Sequence, residues 1–359
     1  MLYHIYKKIV KKKMNKDVLV IYHLEDNDGV CSAAMMTNYL LTQKAKMSSY
    51  NNLFKFNNVK LYGATYKMLN DLYETGEKGM NEFFSKYSMV IMLDISFNNP
   101  KGMLYLKKKF KNGFVWIDHH APIINQSFKD GFDDVHGVRC ADRSTILNTY
   151  KYLYDPLDEM YQNKTINSVL FYLSAYDSWT YEKHGLPFDV VRAVNTYFTT
   201  ASKLKVEWWL REFHDGFTFI ETLVNNIDNT GNDISEYASM GQQICDKIDT
   251  DNEQLIRQNG DYSWTLGDTN RKICVIVNSG PSNSVMFKTL KGTEYVNGVV
   301  LKKSNNDDWS ISLYNINDDD TFNCGVYLKE TYGGGGHKGA AGATLSQETF
   351  IKMIKDKRI

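Results

Sequence analysis

The sequence predicts an α/β fold: a parallel-sheet N-terminal domain, joined by a helical connector to a smaller α/β C-terminal domain. Three observations support this prediction. Continuous apolar runs typical of buried strands recur in the first third of the chain, a helical and aromatic pattern fills the middle, and strand-like runs separated by polar turns return towards the end. We place the domains at residues 1–190, 191–262 and 263–359.

The N-terminal region contains apolar runs that are rich in Val and Ile and that each end in a residue able to bind a metal ion. These runs are Asp17–His23, Met89–Asp94 and Gly113–Asp118. Nearly continuous apolar runs indicate strands covered on both faces, as in a parallel sheet. Candidate crossover helices at Val30–Leu41 and Met68–Tyr73 lie between the first two runs.

The carboxyl ends of parallel strands form a shared crevice, which is where ligands bind in open α/β sheets. His23, Asp94 and Asp118 close the three predicted strands. We therefore expect these side chains to converge.

The rest of the chain has two further patterns. From Ser144 to about Asn259 the apolar spacing is helical, and we interpret this stretch as the end of the first domain and the connector. The C-terminal strand-like runs are Lys272–Asn278, Asn297–Lys302 and Trp309–Tyr314, and the glycine-rich run Gly333–Gly342 follows them.

Composition limits the partners and the compartment. The 42 basic residues equal the 42 acidic residues, so the chain lacks the global positive field of proteins that wrap long duplexes. A nucleic-acid partner is therefore expected to be short or held locally. The five cysteines form no C-x-x-C pair, which predicts no disulfide framework and a reducing, cytoplasmic location.

The first residues are rich in lysine but no apolar stretch of sufficient length follows them. We therefore expect neither a signal peptide nor a membrane span, and Met14 is an alternative start.

The motif His23-x-x-Asp26-x-Asp28-Gly29 lies where the first strand ends and a helix begins. It can supply metal ligands from one tight turn, and Gly29 permits the backbone to enter the helix. The alternative is a helix-capping cluster, because Asp and Asn are common before helices for that reason alone.

Two further motifs offer metal ligands. Asp94 stands alone after its strand and is open to interpretation as a turn or cap residue. Asp118-His119-His120 is a stronger signal, because adjacent histidines after a buried strand contribute nothing to packing and imidazole is a common metal ligand.

Asp177 lies among aromatic residues at a helical segment, where a buried carboxylate needs a partner. Either a metal ion or an arginine, Arg143 or Arg192, would serve. Two divalent ions about 3.5–4 Å apart require several ligands and usually one bridging carboxylate. The candidate ligands are His23, Asp26, Asp28, Asp94, His119 and Asp177. Oxygen and nitrogen ligands favour Mn²⁺, or Mg²⁺, over a structural zinc.

These motifs, with the C-terminal run Gly-Gly-Gly-Gly-His-x-x-Ala-Ala-Gly, closely resemble the DHH family of phosphoesterases with its DHH-associated C-terminal domain. Within that family the sequence is most similar to the nanoRNase and oligoribonuclease members. The resemblance covers both ends of the chain and leaves the helical middle unassigned.

The resemblance implies roles for individual residues. One metal ion would be held by His23, Asp26 and Asp94, and the second by Asp28, Asp94, His119 and Asp177, with Asp94 as the bridge. His120 would face the substrate phosphate as a hydrogen-bond donor or proton carrier, and Asp118 would orient the two histidines.

The resemblance also implies that the glycine run binds substrate. The alternative is a flexible loop, because most glycine-rich stretches are no more than that. The expected substrate contacts are Gly334, Gly335, Gly336, His337, Lys338 and Ala340. The preceding strand lacks the Arg that family members often carry there. Phosphate recognition would then depend on Lys288, Lys302, Lys303 or Lys338.

The resulting functional prediction is a two-metal phosphodiesterase that hydrolyses short single-stranded RNA or DNA oligonucleotides, or dinucleotides, to mononucleotides. A cyclic-dinucleotide phosphodiesterase and a catalytically silent nucleotide-binding module are the alternatives. Trp179, close to Asp177 in sequence, is the aromatic residue we would test for base stacking. The oligomeric state stays open, with a homodimer among the options.

Overall fold

The computed structural model describes residues 16–48, 56–129, 131–154, 169–212, 234–267, 271–277, 285–303, 308–317, 321–336 and 338–359. The chain divides into two compact units, Met1–Ile244 and Cys245–Ile359.

A four-stranded sheet forms the centre of the first unit. Its strands are β1 (Lys16–His23), β2 (Phe56–Ala64), β3 (Tyr87–Leu93) and β4 (Phe114–Ile117). Their spatial order is β2-β1-β3-β4, and each neighbouring pair is parallel. The predicted parallel sheet is therefore confirmed. The sequence analysis did not predict β2, an edge strand whose polar residues interrupt the apolar pattern.

Helices follow and connect the strands. They are α1 (Asn27–Ser48), α2 (Tyr66–Glu74), α3 (Gly76–Phe84), α4 (Pro100–Phe110), α5 (Ala121–Lys129), α6 (Thr145–Tyr154), α7 (Val169–Asp177), α8 (Phe188–Ser202) and α9 (Val206–Glu212). The two predicted crossover helices lie within α1 and α2.

Both faces of this sheet are buried. Along β1, Val18 and Val20 point into one apolar cluster, whereas Leu19 and Ile21 point into a second cluster on the opposite face. This alternation follows from the two-residue period of a strand. Because each face has its own apolar layer, β1 is a nearly continuous apolar run in the sequence.

The order of the strands positions a crevice. The chain leaves β1 to form β2 on one side and then returns to form β3 on the other side of β1. Successive connections that depart in opposite directions create a topological switch point at the carboxyl ends of the strands. The switch point of this sheet lies between β1 and β3, the strands that precede the two motifs at His23 and Asp94.

The described residues of the second unit form a mixed six-stranded sheet, two helices that lie wholly within the unit, and the C-terminal part of a helix that begins in the first unit. Its strands are β5 (Asp261–Thr265), β6 (Lys272–Val277), β7 (Asn297–Lys303), β8 (Trp309–Asn315), β9 (Gly335–Gly336) and β10 (Ala340–Leu345). The order is β5-β6-β7-β8-β10-β9, with only the β6/β7 pair parallel. The helices are α11 (Cys324–Tyr332) and α12 (Gln347–Asp356). The predicted smaller α/β unit is confirmed.

The predicted helical connector is helical in its described parts, which include α8, α9 and α10 (Ile234–Asn259). Val191 and Val194 of α8 pack in the same apolar cluster as β1, and α10 runs across the division between the two units. The predicted boundaries at residues 190 and 262 stay a prediction. None of the described helices combines the length and the hydropathy needed to span a membrane.

Candidate metal centre

The turn after β1 brings His23 and Asp26 together. His23 Nδ1 lies 2.8 Å from Asp26 Oδ2, while Asp26 Oδ1 accepts a hydrogen bond from the backbone N–H of Gly29 at 2.9 Å. Asp26 therefore caps α1 and contacts the histidine at the same time, so the capping and the metal-binding interpretations are compatible. A Cβ at Gly29 would lie 2.1 Å from the backbone oxygen of His23, so any side chain there would clash with the turn.

Asp28 is fixed by a helix other than its own. Its Oδ2 and Oδ1 accept hydrogen bonds from the backbone N–H groups of Thr145 and Ile146, at 2.8 and 2.7 Å. These groups belong to the first turn of α6, where N–H groups lack partners within the helix and the helix dipole favours a negative charge. The helix thus orients a carboxylate that is only 2% exposed.

Asp94 lies at the centre of the cluster. It follows β3 with φ 61°, in the left-handed region that Asp tolerates better than most residues. Its Oδ2 lies 3.7 Å from His23 Nδ1, and its Oδ1 lies 3.5 Å from His119 Nε2. The hydroxyl of Thr145 donates to Asp94 Oδ1 at 2.9 Å. Asp94 therefore faces the β1 turn and the histidine pair at once.

Asp118 organises the two histidines. Its Oδ1 accepts the backbone N–H of His119 at 2.7 Å and that of His120 at 3.1 Å, and it lies 2.7 Å from His120 Nδ1. Its Oδ2 accepts a hydrogen bond from the indole of Trp116 at 3.0 Å. This arrangement leaves His119 Nε2 directed at the carboxylates and fixes the His120 ring.

Asp177 is the last residue of α7 and faces His119. Its Oδ2 lies 3.1 Å from His119 Nε2. The same oxygen is buried and has no hydrogen-bond partner within the described part of the chain. A buried carboxylate oxygen without a hydrogen bond is costly unless a cation lies beside it.

The structure brings all six candidate ligands into overlapping groups. In each group the potential ligand atoms lie within 4.8 Å of one another. The groups are His23, Asp26 and Asp94; Asp28, His119 and Asp177; and Asp94, His119 and His120. Asp94 has one oxygen towards each side, which is the position a bridging carboxylate requires.

The pKa values report how crowded the negative charges are. Burial, reinforced by the charges of Asp28 and Asp26, raises the pKa of Asp94 and of Asp177 well above the ordinary value. Burial alone would lower the pKa of His23, but hydrogen bonds to Asp26, Asp94 and Glu25 raise it to about 12. The carboxyl groups resist ionising together, and the histidine beside them retains its proton. Both features indicate that the site has too little positive charge for its carboxylates.

Metal ions fit this donor set. The ligand atoms are carboxylate oxygens and imidazole nitrogens without a thiolate, the combination that suits Mn²⁺ and Mg²⁺ better than a structural zinc. A divalent cation would also contact the buried Asp177 oxygen that has no hydrogen bond and offset the repulsion that raises the pKa of Asp94.

Three residues at the centre escaped the sequence analysis. Thr145 and Trp116 donate hydrogen bonds to Asp94 and Asp118. Tyr66, just after β2, lies between His23 and His120, with ring centroids 5.6 and 6.2 Å away. Its position after a parallel strand was the available signal, but the polar pattern of β2 concealed that strand.

The predicted substrate segment lies in the second unit. Gly334 packs closely, since a Cβ there would lie 2.3 Å from the backbone oxygen of Gly342, whereas a Cβ at Gly335 would meet nothing within 4 Å. Gly336 pairs with Ala341 in the sheet, and Lys338 is exposed. Ala340 begins β10. His337 lies outside the described residues, and the substrate contacts stay a prediction.

Residues 17–171 match the DHH family, N-terminal domain. This match assigns the DHH family N-terminal domain to residues 17–171, which confirms the resemblance predicted from the motifs and the predicted enzyme class, a metal-dependent phosphoesterase. The assignment of residues 263–359 to a DHH-associated C-terminal domain and the similarity to nanoRNases stay predictions. No protein of curated function matches the sequence.

Solved structures similar to this chain include an exopolyphosphatase-related protein from Bacteroides fragilis, at 15% identity and a TM-score of 0.49, covering 99% of this chain and 96% of that one. A pGpG-specific phosphodiesterase from Vibrio cholerae is similar at 10% identity and a TM-score of 0.43, covering 95% and 97%. The exonuclease RecJ bound to manganese is similar at 13% identity and a TM-score of 0.45, covering 99% and 93%.

Proposed function

We propose that this protein hydrolyses phosphodiester bonds in short single-stranded oligonucleotides, releasing mononucleotides, with two divalent metal ions held by His23, Asp26, Asp28, Asp94, His119 and Asp177. The observation that carries the proposal is Asp94, whose two oxygens face His23 on one side and His119 on the other. Mn²⁺ is the metal we favour and Mg²⁺ is the alternative.

Metal ions held by these residues would lower the pKa of a water molecule and offset the charge that develops on the phosphate oxygens. The chain's own residues position these groups. His120 directs Nδ1 towards Asp118 at 2.7 Å, so its Nε2 is available to donate a hydrogen bond to a phosphate oxygen. Despite burial, the hydrogen bond and charge of Asp118 raise the pKa of His120, which favours the protonated ring.

In the hydrolysis, a bond forms between the water oxygen and phosphorus while the bond from phosphorus to the leaving sugar oxygen breaks. The proton on His120 Nε2 passes to that leaving oxygen, and Asp118 stabilises the ring in both states. The proton lost by the attacking water passes to the solvent, and His120 takes a proton back from the solvent before the next cycle. The predicted glycine segment, from Gly334 to Ala340, would contribute backbone N–H groups to the terminal nucleotide.

The test is incubation of the purified chain with a labelled series from dinucleotide to twenty-mer under Mn²⁺, Mg²⁺ or chelator. We expect mononucleotide release that depends on metal and is fastest for the shortest substrates. Cyclic di-AMP runs beside pApA in the same assay, and faster cleavage of the cyclic substrate would favour a cyclic-dinucleotide phosphodiesterase.

One variant tests the proposed ligands in this assay, and a second variant is its control. His119→Ala should abolish hydrolysis and lower the metal content together, because His119 Nε2 lies within 3.6 Å of Asp28, Asp94 and Asp177. Leu104→Ala, at an exposed apolar residue of α4, should leave both unchanged. Hydrolysis that survives in His119→Ala would contradict the proposed mechanism.

A further inference from the structure

An exposed tryptophan follows a proposed metal ligand closely in the chain. Trp179 is two residues after Asp177, so its Cα is at most about 7 Å along the chain from a proposed metal ligand. It is 48% exposed, although it is the largest apolar side chain in this part of the unit. A single exposed apolar side chain is common on protein surfaces. Two further features distinguish Trp179: the aromatic rings that pack against it and its backbone conformation.

The indole rests on other aromatic rings. Its centroid is 5.7 Å from that of Phe188 with planes 16° apart, and 6.3 Å from that of Tyr176 with planes 27° apart. Tyr181 packs against Phe188 at 5.1 Å. A ring stacked on neighbours in this way loses little further conformational entropy when a ligand packs on its exposed part.

The backbone at Trp179 is one that tryptophan rarely adopts. The N–H of Trp179 bonds to the oxygen of Tyr176 at 3.4 Å, and that of Thr180 to the oxygen of Ala175 at 3.1 Å, which ends α7 in a Schellman motif. Trp179 occupies the left-handed position of that motif, with φ 54°, where glycine is strongly preferred.

Other non-glycine residues of the described chain also have positive φ, and most of them are lysines with exposed side chains, such as Lys203 and Lys357. Among the described residues, Trp179 is the only aromatic residue with a positive φ. A bulky residue in this region is strained, and such strain persists where the surrounding structure and the function maintain it. Glycine would relieve the strain but would remove the ring.

We propose that Trp179 is a stacking platform that receives the nucleobase adjoining the scissile phosphate and so makes the centre selective for nucleotides over phosphodiesters without bases. The inference rests on the proposed function. A base is the ligand that fits, because the neighbouring centre takes an anionic phosphate and a nucleotide joins such a phosphate to a planar ring. Stacking on an aromatic ring tolerates any base, which suits a substrate class without a fixed sequence.

The test compares two substrates on the same enzyme: a dinucleotide, and the analogue in which an abasic sugar replaces one base. Trp179→Leu keeps apolar bulk without a ring, and Trp179→Phe keeps a smaller ring. We expect Trp179→Leu to raise KM for the dinucleotide about tenfold, with kcat within about twofold. KM for the abasic analogue should change by less than about twofold, and Trp179→Phe should lie between wild type and Trp179→Leu.

Leu104→Ala removes another exposed apolar side chain and should move neither KM. Equal loss on both substrates would overturn the proposal, because Trp179 would then only position Asp177. No loss on either would overturn it as well.

Failure of wild type to cleave either substrate would contradict the proposed function instead. In that case, calorimetry would measure how tightly wild type binds each uncleaved substrate under Mn²⁺, which tests base stacking on Trp179 separately from hydrolysis. Equal affinities for the dinucleotide and the abasic analogue would overturn the stacking proposal.

Discussion

At the scale of single residues, the centre depends on hydrogen bonds to its carboxylates as much as on the carboxylates themselves. Asp28 accepts two backbone N–H groups, Asp94 accepts a hydroxyl, and Asp118 accepts an indole N–H. Each bond fixes which lone pairs remain for a metal ion. Such outer contacts are worth about 10–100-fold in metal affinity or activity when they are removed.

Thr145 provides the sharpest test of this point. Thr145→Val keeps the shape but removes the hydroxyl that donates to Asp94 Oδ1 at 2.9 Å. We expect Mn²⁺ affinity and kcat/KM to fall about tenfold or more, measured by metal titration and steady-state kinetics. Thr149→Val is the matched control, since it lies one turn further along α6 and its buried hydroxyl has no hydrogen-bond partner among the described residues. Equal losses in the two variants would contradict the role given to Thr145.

The motifs indicated the six candidate ligands because clustered Asp and His residues are unusual directly after buried strands, while Asp177 stood out as a carboxylate among aromatic residues in a helical segment. Thr145, Trp116 and Tyr66 could not be predicted in the same way. Thr145 lies 51 positions from Asp94, and only the packing of α6 against the sheet brings the two together. Thr, Trp and Tyr also have many structural uses, so their presence near a motif is weak information.

At the scale of elements, the turn from β1 into α1 sets the position of three predicted ligands. Gly29 allows α1 to begin directly against the backbone of His23, with only 2.1 Å for a Cβ. The strand and the helix are thereby held so that His23, Asp26 and Asp28 project from a single turn.

Gly29→Ala should therefore damage stability and the site together. We expect a loss of about 1–3 kcal/mol in the free energy of unfolding, measured by chemical denaturation, with reduced Mn²⁺ binding. Gly339→Ala is the control for stability, because a Cβ there would meet nothing within 4 Å. A Gly29→Ala protein as stable as Gly339→Ala would show that the turn can relax.

Strand prediction succeeded where the physical pattern is strong. The runs that became β1, β3 and β4 are continuous because both sheet faces are covered, and the runs of β6, β7 and β8 are also rich in apolar residues. β2, β5, β9 and β10 were not predicted. β2 is an edge strand with polar residues, and β10 consists mostly of Ala and Gly, which have little intrinsic preference for strands.

Asp261 connects the first strand of the second unit to its C-terminal end. It accepts hydrogen bonds from Ser263, from the Trp264 indole and from Lys357, and the Ser263 hydroxyl is the main cause that holds its pKa below the ordinary 3.8. A carboxyl whose folded pKa is lowered stabilises the fold above its unfolded pKa, and that contribution is lost as the pH falls through the folded pKa.

Asp261→Asn should therefore destabilise the protein at pH 7 and progressively less below about pH 4. Because the Asp261 side chain is 42% exposed, we expect a loss below about 1 kcal/mol. Urea denaturation between pH 7 and pH 3 measures it. A difference between variant and wild type that stays constant across this range would contradict the assignment.

At the scale of the whole molecule, the first unit carries a buried cluster of like charges. Burial and the mutual repulsion of Asp26, Asp28, Asp94 and Asp177 raise the pKa of Asp94 and of Asp177. Such a cluster destabilises the metal-free protein, and bound cations would reverse the effect through mass action, by about 2.7 kcal/mol at a hundredfold excess over Kd.

This balance predicts that the order of the Tm values of wild type and Asp94→Asn reverses when metal is added. In chelator, Asp94→Asn should have a Tm equal to or above that of wild type, because the substitution removes the cost of burying an ionisable carboxyl beside other carboxylates. In saturating Mn²⁺ the order should reverse, because only wild type retains the carboxylate proposed to bridge the two ions. Thermal unfolding of both proteins under both conditions measures it. A Tm order that is the same in chelator and in Mn²⁺ would contradict a structural contribution from the metal.

The most direct test of the whole account is a crystal structure of the Mn²⁺-loaded protein with anomalous scattering data. We expect two anomalous peaks about 3.5–4 Å apart, with Asp94 bound to both ions. A single peak, or two peaks without Asp94 between them, would contradict the two-metal centre.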